Sequence, residues 1–385
     1  MKLLTVVQRY GDEVVGGSEG HARVMTERLA LRHDVEVATT TALDYWTWAE
    51  HYRAGDDLVG GIRVRRFPVA SGRDPEFKAM EQHLLFEPHT VSEELDWPRR
   101  QGPHAPALYE FLRREGERYD AILFWTYIYA PTAIGLPIVP ERAALISTAH
   151  DELPLGLAPY RALFALPRAF GFLTPEERAL VHRRFHNAHI PNVILGIGLD
   201  PAPAGDAAAL RAQLGRSGPL IVYLGQVNEG KGCDDLVQAW TARTCLPDAT
   251  LVLAGTVRME LPVRDDLVAL GRVSDAQKWA ALAAADALVL PSHLESLGIV
   301  LLEAWQQGTP VLVPAWNLVT AGQVARSGGG ATYERVEELV PALEVLLSQG
   351  RAPGAAGREW VARECDWRAV DARLELLIGM AASGV

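Results

Sequence analysis

Two series of short, almost wholly apolar runs constrain the fold of this chain more than any other feature. In the first half Leu3-Leu4-Thr5-Val6-Val7, Val35-Glu36-Val37-Ala38, Ala121 to Trp125 and Ala144 to Ser147 each read as a strand. In the second half the same texture returns in Leu220 to Leu224, Thr250 to Ala254, Ala287 to Leu290 and Pro310 to Val313. Apolar runs without polar alternation suit strands buried on both faces, and parallel strands need the helical stretches that lie between several of them as crossovers. At 385 residues the chain exceeds what one core ordinarily holds. The expected fold class is therefore α/β: two Rossmann-like domains with parallel sheets facing across a cleft. From Gly196 to Gly218 the sequence turns to Gly, Pro and Ala, which predicts a hinge with a short helix over Ala207 to Leu214. The boundaries predicted are residues 1–195 and 196–366, with a C-terminal helix over 367–385 crossing back to the first domain.

Charge and cysteine usage exclude several function classes. A net charge of -11 argues against a nucleic-acid partner, because phosphate binders display a basic footprint. Cys233, Cys245 and Cys365 stand far apart, with no ligand or disulfide spacing. No Asp-x-Asp pair or other ligand set for a metal is visible. The opening apolar run, Leu3 to Val7, is shorter than the core of a secretion signal, and no run approaches the roughly 18 residues of a membrane span. A cytoplasmic setting is expected.

The densest signal is Pro291-Ser292-His293-Leu294-Glu295-Ser296-Leu297-Gly298-Ile299-Val300-Leu301-Leu302-Glu303-Ala304, just beyond a strand end. A helix beginning near Gly298 would aim free N–H groups and a positive dipole end at an anion such as a pyrophosphate. Glu295 and Glu303 stand about 12 Å apart along a helix axis, so they would bracket the phosphate rather than share an atom. Carboxylates accept hydrogen bonds from vicinal diols, which suits Glu295 to sugar hydroxyls and Glu303 to a ribose. The bland reading of either is a solvated helix face or a cap. Gly225-Gln226-Val227-Asn228-Glu229-Gly230-Lys231-Gly232 follows the strand Leu220 to Leu224. Its glycines admit a phosphate close to the backbone and Lys231 supplies a compact charge; the alternative is a plain glycine turn.

These segments, taken in order, resemble the retaining GT-B glycosyltransferases of family 4 over nearly the whole chain. The resemblance rests on Leu224-Gly225-Gln226 with Lys231-Gly232, on the Glu295 to Glu303 spacing and on Gly308-Thr309-Pro310-Val311. It implies a glycosyltransferase that moves a sugar from a nucleotide-diphosphate sugar to an acceptor hydroxyl with retained anomeric configuration, without an enzyme nucleophile, metal or other cofactor. Glycan, lipid-linked saccharide or glycoconjugate synthesis would be its setting. By the same resemblance Glu295 meets the donor sugar, Glu303 the ribose and Lys231 the diphosphate, joined by the amides of Leu297, Gly298 and Ile299. Gly271-Arg272-Val273-Ser274-Asp275 with Lys278 resembles the stretch that holds the nucleobase. Gly16-Gly17-Ser18-Glu19-Gly20-His21 resembles the family's glycine loop, and Thr148-Ala149-His150-Asp151 its reaction-centre histidine. The catalytic set is thus His150, Glu295 and Lys231; Gly16, Gly17, Gly225, Gln226, Val273, Asp275, Leu297, Gly298, Ile299 and Glu303 bind the donor.

The chain departs from the family at Gln226, where arginine is usual, so one cationic phosphate contact is missing. A dehydrogenase is disfavoured, since G-x-G-x-x-G is absent and the second strand ends in Thr39-Thr40-Thr41 rather than an acid. The rival readings are a nucleotide-sugar epimerase or phosphorylase of the same architecture, and a nucleotide-sugar-binding protein without catalysis. Leu157 to Leu173, rich in Leu, Phe and Arg, suggests weak peripheral contact with the inner face of a membrane or with a lipid-linked acceptor, against packing on its own domain. Trp46, Trp48, Trp97 and Trp125 are candidates for stacking on a saccharide acceptor, against a core or rim role.

Overall fold

The computed structural model describes residues 1–382; of the helix predicted over 367–385, residues 383–385 lie outside the described residues. The chain divides into two compact units. One holds Met1–Gly198 together with the segment from Arg368 onward, and the other Leu199–Trp367.

The first unit is built on β1 (Lys2–Val6), β2 (Asp34–Thr40), β3 (Gly55–Val59), β4 (Ile62–Phe67), β5 (Ala121–Trp125), β6 (Ala143–Ile146), β7 (Ala169–Phe172) and β8 (Asn192–Ile194). They form one sheet in the order β3-β4-β2-β1-β5-β6-β7-β8. All neighbours are parallel except the β3–β4 hairpin. Leu3 of β1 pairs with Val35 on one side and Ala121 on the other, so the strand order reverses direction at the β1/β5 junction. The central strands are sealed by the apolar core of Leu4, Val6, Ile122, Phe124, Leu145, Phe170 and Phe172. The helix Trp367–Ala382 returns to this unit, where Asp371 accepts from Arg28 Nε at 2.7 Å.

The second unit carries β9 (Leu220–Leu224), β10 (Thr250–Ala254), β11 (Leu267–Gly271), β12 (Ala287–Val289), β13 (Val311–Pro314) and β14 (Gly330–Tyr333). Their order is β11-β10-β9-β12-β13-β14, wholly parallel. Ile221 of β9 pairs with Leu251 and with Ala287, which puts the reversal between β9 and β12. Open parallel sheets bind ligands beyond the carboxyl ends of the strands at such a reversal. The short helix Ala207–Leu214 ends in left-handed Gly215.

No helix among the described residues is long and apolar enough to cross a membrane. The Leu157 to Leu173 segment, a candidate for weak membrane contact, packs most of its large apolar side chains within its own unit. Leu157, Tyr160, Leu163, Phe164, Phe170 and Phe172 are buried in the core of their own unit, while Arg161, Ala162, Ala165 and Leu166 are exposed.

Candidate active site

The second unit's reversal point places the two sequence-predicted loops side by side. β9 runs into Gly225, a turn at Glu229–Lys231 and the helix Cys233–Ala242; β12 runs into the loop that ends at the helix Ile299–Gln306. Gly232 caps the first of these helices at φ 69, and a Cβ there would meet the Pro291 carbonyl oxygen at 2.4 Å. Glycine is thus required both for the left-handed backbone and for the contact between loops. Asn228 Oδ1 accepts from the Lys231 amide at 3.0 Å and secures the turn. Lys231 Nζ then reaches Glu295 Oε1 at 2.8 Å, joining the loop after β9 to the loop after β12.

A second lysine serves the second glutamate. Lys278 Nζ donates to Glu303 Oε1 at 2.7 Å, from the helix Asp275–Ala284 to the helix Ile299–Gln306. Gly298, left-handed at φ 66, caps the latter helix without any side-chain bond; the Leu301 amide turns back to the Gly298 carbonyl at 2.9 Å, and the N–H groups before it have no acceptor in a preceding turn of helix. The Leu297 carbonyl accepts from Gln323 Nε2 and fixes the approach to that helix.

Gln226 lies exposed at the rim of the first loop. Its carbonyl accepts from the Tyr223 hydroxyl at 2.7 Å and its Oε1 from Asn228 Nδ2 at 3.4 Å. Burial pushes the Tyr223 hydroxyl and the Cys233 thiol, which lie behind this loop, above their ordinary pKa values. Val273 is half-buried between β11 and the helix Asp275–Ala284, while the Asp275 side chain is 93% exposed.

In the first unit, Gly16 is the N-cap and Gly17 the first residue of the helix Gly17–Ala30. Arg9, just past β1, explains the close turn. Its Nη2 meets Glu19 Oε1 at 2.6 Å with both side chains buried, its Nη1 donates to the Leu43 carbonyl at 2.7 Å and its Nη2 to the Val15 carbonyl at 3.2 Å. A Cβ at Gly16 would stand 2.3 Å from Glu19 Oε2. Sequence reasoning missed Arg9 as the anchor; the available signal was a charged residue directly after a buried strand, ten positions before an acid in the first turn of a helix.

His150 follows β6 beyond Thr148, whose φ is 50. Its Nδ1 lies 3.5 Å from Glu152 Oε1, which also accepts from the Tyr127 hydroxyl at 2.8 Å. The loop is held from beneath by Glu177, fully buried and bonded to Ser147 Oγ at 2.6 Å, Ala149 N at 2.8 Å and Leu173 N at 2.6 Å. Burial raises the Glu177 carboxyl above the usual range against these three bonds. Glu177 follows the capping residue Thr174 by three positions, as the capping pattern Thr174-Pro175-Glu176-Glu177 requires, but its carboxylate ties β6 to β7 instead of closing a box. His21 is structural. Its Nδ1 accepts from Trp125 Nε1 at 3.0 Å, so its Nε2–H donates to the Gly196 carbonyl at 2.7 Å. Of the four candidate tryptophans, Trp48, Trp97 and Trp125 are core residues and offer no face to an acceptor; Trp46 is 53% exposed.

Residues 207–355, which hold both lysine–glutamate pairs, match the family described as Glycosyl transferases group 1. A GDP-mannose-dependent alpha-(1-6)-phosphatidylinositol monomannoside mannosyltransferase of Mycobacterium tuberculosis is 30% identical over 301 residues, 68% of this chain and 77% of that protein. The chain belongs to the group 1 glycosyltransferases. Glycogen synthase of Mycobacterium tuberculosis is 28% identical to this glycosyltransferase over 96% of the chain and 92% of its own length. Sucrose-phosphate synthase from Thermosynechococcus elongatus shares the fold at a TM-score of 0.74 and 17% identity, covering all of both chains. The two parallel-sheet units of the glycosyltransferase are those of the GT-B fold.

Proposed function

We propose that this glycosyltransferase takes a sugar from a nucleotide-diphosphate sugar and passes it, with retention, to an acceptor hydroxyl, using neither a metal nor a further cofactor. The observation that carries the reading is the Lys231–Glu295 bond at 2.8 Å, which sets a cation and a carboxylate at the reversal point of the second sheet, beside the free amides of the helix Ile299–Gln306. That unit is the donor side. Lys231 and the amides of Leu297, Gly298 and Ile299 neutralise the leaving diphosphate, as electrostatic stabilisation of a leaving group requires. Gly225 admits the phosphate close to the backbone and Gln226 borders it. Glu295 holds the donor sugar, Glu303 the ribose, and the backbone near Val273 and Asp275 the base.

We assign the acceptor to the first unit, with His150 as its catalytic residue and Gly16 and Gly17 as donor-phosphate contacts. The GDP-mannose dependence of the mannosyltransferase relative and the saccharide chemistry of glycogen synthase support a nucleotide-sugar donor and a saccharide or lipid-linked acceptor. Retention rests on the family resemblance. Three free cysteines suit a cytoplasmic setting.

Calorimetry with nucleoside diphosphates, run beside a glycosyl-transfer assay on mixed acceptors, tests the reading. Nucleotide binding together with a glycosylated acceptor of unchanged anomeric configuration is expected. Inverted product overturns retention, binding without any product favours the non-catalytic reading, and no binding removes the donor site.

A further inference from the structure

Trp46 and Arg73 both approach the ring of Tyr45 in the first unit. The Trp46 and Tyr45 ring centroids are 5.2 Å apart, edge to face, and the Arg73 guanidinium carbon lies 5.2 Å from the same tyrosine ring, 5.6 Å from Trp48 and 5.6 Å from Phe77. Two of the guanidinium nitrogens of Arg73, Nε and Nη2, are buried without a hydrogen-bond partner among the described residues, although the residue as a whole is only half-buried. Glu81 attracts the guanidinium through space without a bond to it. Arg9, on the same aromatic wall at 5.4 Å from Tyr45 and 5.8 Å from Trp48, is by contrast committed to Glu19, Val15 and Leu43. A guanidinium has five donors, and buried donors left unmet call for a reason.

The turn that carries Trp46 is braced rather than loose. The Asp44 carboxylate accepts from the Trp46 amide at 3.0 Å, from the Thr47 amide at 2.7 Å and from the Thr47 hydroxyl at 2.6 Å. Buried Trp48 follows at φ 60, a left-handed position unusual for a bulky residue, and its indole N–H donates to the Gln101 carbonyl at 2.8 Å. The wall is completed by Tyr129, whose hydroxyl donates to Tyr45 at 3.0 Å. Tyr129 follows β5 and Arg9 follows β1, so the cluster lies at the β1/β5 reversal of the first sheet, where a parallel sheet takes its ligand.

We propose that Trp46 and Arg73 form an acceptor subsite for a sugar or polyol that carries an anionic group, the indole face covering the ring and the guanidinium taking the anion. This rests on the transferase reading above and narrows its acceptor class. An exposed indole offers an apolar face to the C–H side of a saccharide, and a guanidinium already flanked by aromatic rings binds phosphate or carboxylate in a fixed orientation.

The test uses the unaltered full chain first. Calorimetry with glucose 6-phosphate, glucuronic acid and glucose, each in the presence of saturating nucleoside diphosphate, is expected to show at least tenfold tighter binding of an anionic probe than of glucose. Binding of the phosphate alone assigns the anion as a phosphate; binding of both acids extends it to carboxylates. Arg73→Gln is expected to erase that preference, Arg73→Lys to keep part of it, and Trp46→Ala to weaken all three probes by similar factors, while nucleoside diphosphate affinity stays within twofold throughout. Equal affinity for glucose and both acids in the unaltered chain overturns the subsite even if a variant fails to fold, as does an Arg73→Gln protein that keeps the preference. Loss of nucleoside diphosphate binding in the unaltered chain would instead strike at the transferase reading.

Discussion

Lys278 Nζ and Glu303 Oε1 meet at 2.7 Å between two successive helices of the second unit, and the same ammonium lies 4.6 Å from the ring of Trp279. Glu303 is therefore held through one oxygen before any ligand arrives. Glu303→Gln is expected to weaken nucleoside diphosphate binding by about 1 kcal/mol or more, the scale of a hydrogen bond to a charged group. Lys278→Met should act in the same direction by releasing the carboxylate. Glu295→Gln should mainly lower turnover. If both glutamate variants leave affinity and rate within about twofold, roughly 0.4 kcal/mol, neither carboxylate is in the site.

Glu295 offsets part of the charge of Lys231, and a helix N-terminus adds only about half a charge, so the two proposed counter-charges fall short of a diphosphate of about two negative charges. Gln226→Arg is expected to tighten nucleoside diphosphate binding by about 1–2 kcal/mol, and Lys231→Ala to nearly abolish it. Arg258 is the nearest test of compensation, because its amide donates to the Val227 carbonyl at 2.8 Å. If Arg258→Ala weakens binding while Gln226→Arg gains nothing, Arg258 already fills the role. Unchanged binding in Lys231→Ala would remove Gly225 to Gly232 from the donor site.

Burial holds the fully buried His21 down to about 4, from 6.5, so below pH 6.5 the unfolded chain takes up a proton that the folded chain refuses. Stability is then full above pH 6.5 and is lost as the pH falls toward 4. Between pH 7 and pH 5 the loss from this residue is about 2 kcal/mol. Urea unfolding should show a shallower loss over that range in His21→Gln than in the unaltered protein; parallel losses would contradict a buried neutral imidazole.

Gly16 and Gly17 separate by one contact. A methyl group at Gly16 would lie 2.3 Å from the Glu19 carboxylate that Arg9 and Ser18 hold, whereas at Gly17 nothing stands within 4 Å. Gly16→Ala is expected to cost about 1–3 kcal/mol of stability and Gly17→Ala to be within about 0.5 kcal/mol of neutral, read from denaturant midpoints. Equal effects would show that the loop does not need Gly16 for its approach to Glu19.

Transfer activity is expected to be the same with and without EDTA, because the sequence offers no Asp-x-Asp pair and the diphosphate has Lys231 and helix amides as its proposed counter-charges. Activity lost to chelator and restored by Mg²⁺ or Mn²⁺ would refute this.

Local chemistry alone made much of this fold legible. β9, β10 and the helix Ala207–Leu214 have the predicted bounds, because a run apolar on both faces, or a capped helical stretch, carries its signal in its own residues. β11 and β14 were not legible. They are the sheet's edge strands, Leu267–Gly271 and Gly330–Tyr333, largely half-buried or exposed, so no continuous apolar run marks them. The loops that bear Lys231 and Glu295 were found by spacing and resemblance, but their contact depends on β9 pairing with β12, strands more than sixty residues apart. Lys278 meeting Glu303, Arg9 meeting Glu19 and Glu177 holding the His150 loop depend likewise on how elements pack. A sequence records periodicity and caps within a few turns of chain, whereas which polar side chains share a buried site follows from strand order, settled only when the whole sheet closes its hydrogen bonds and buries both faces.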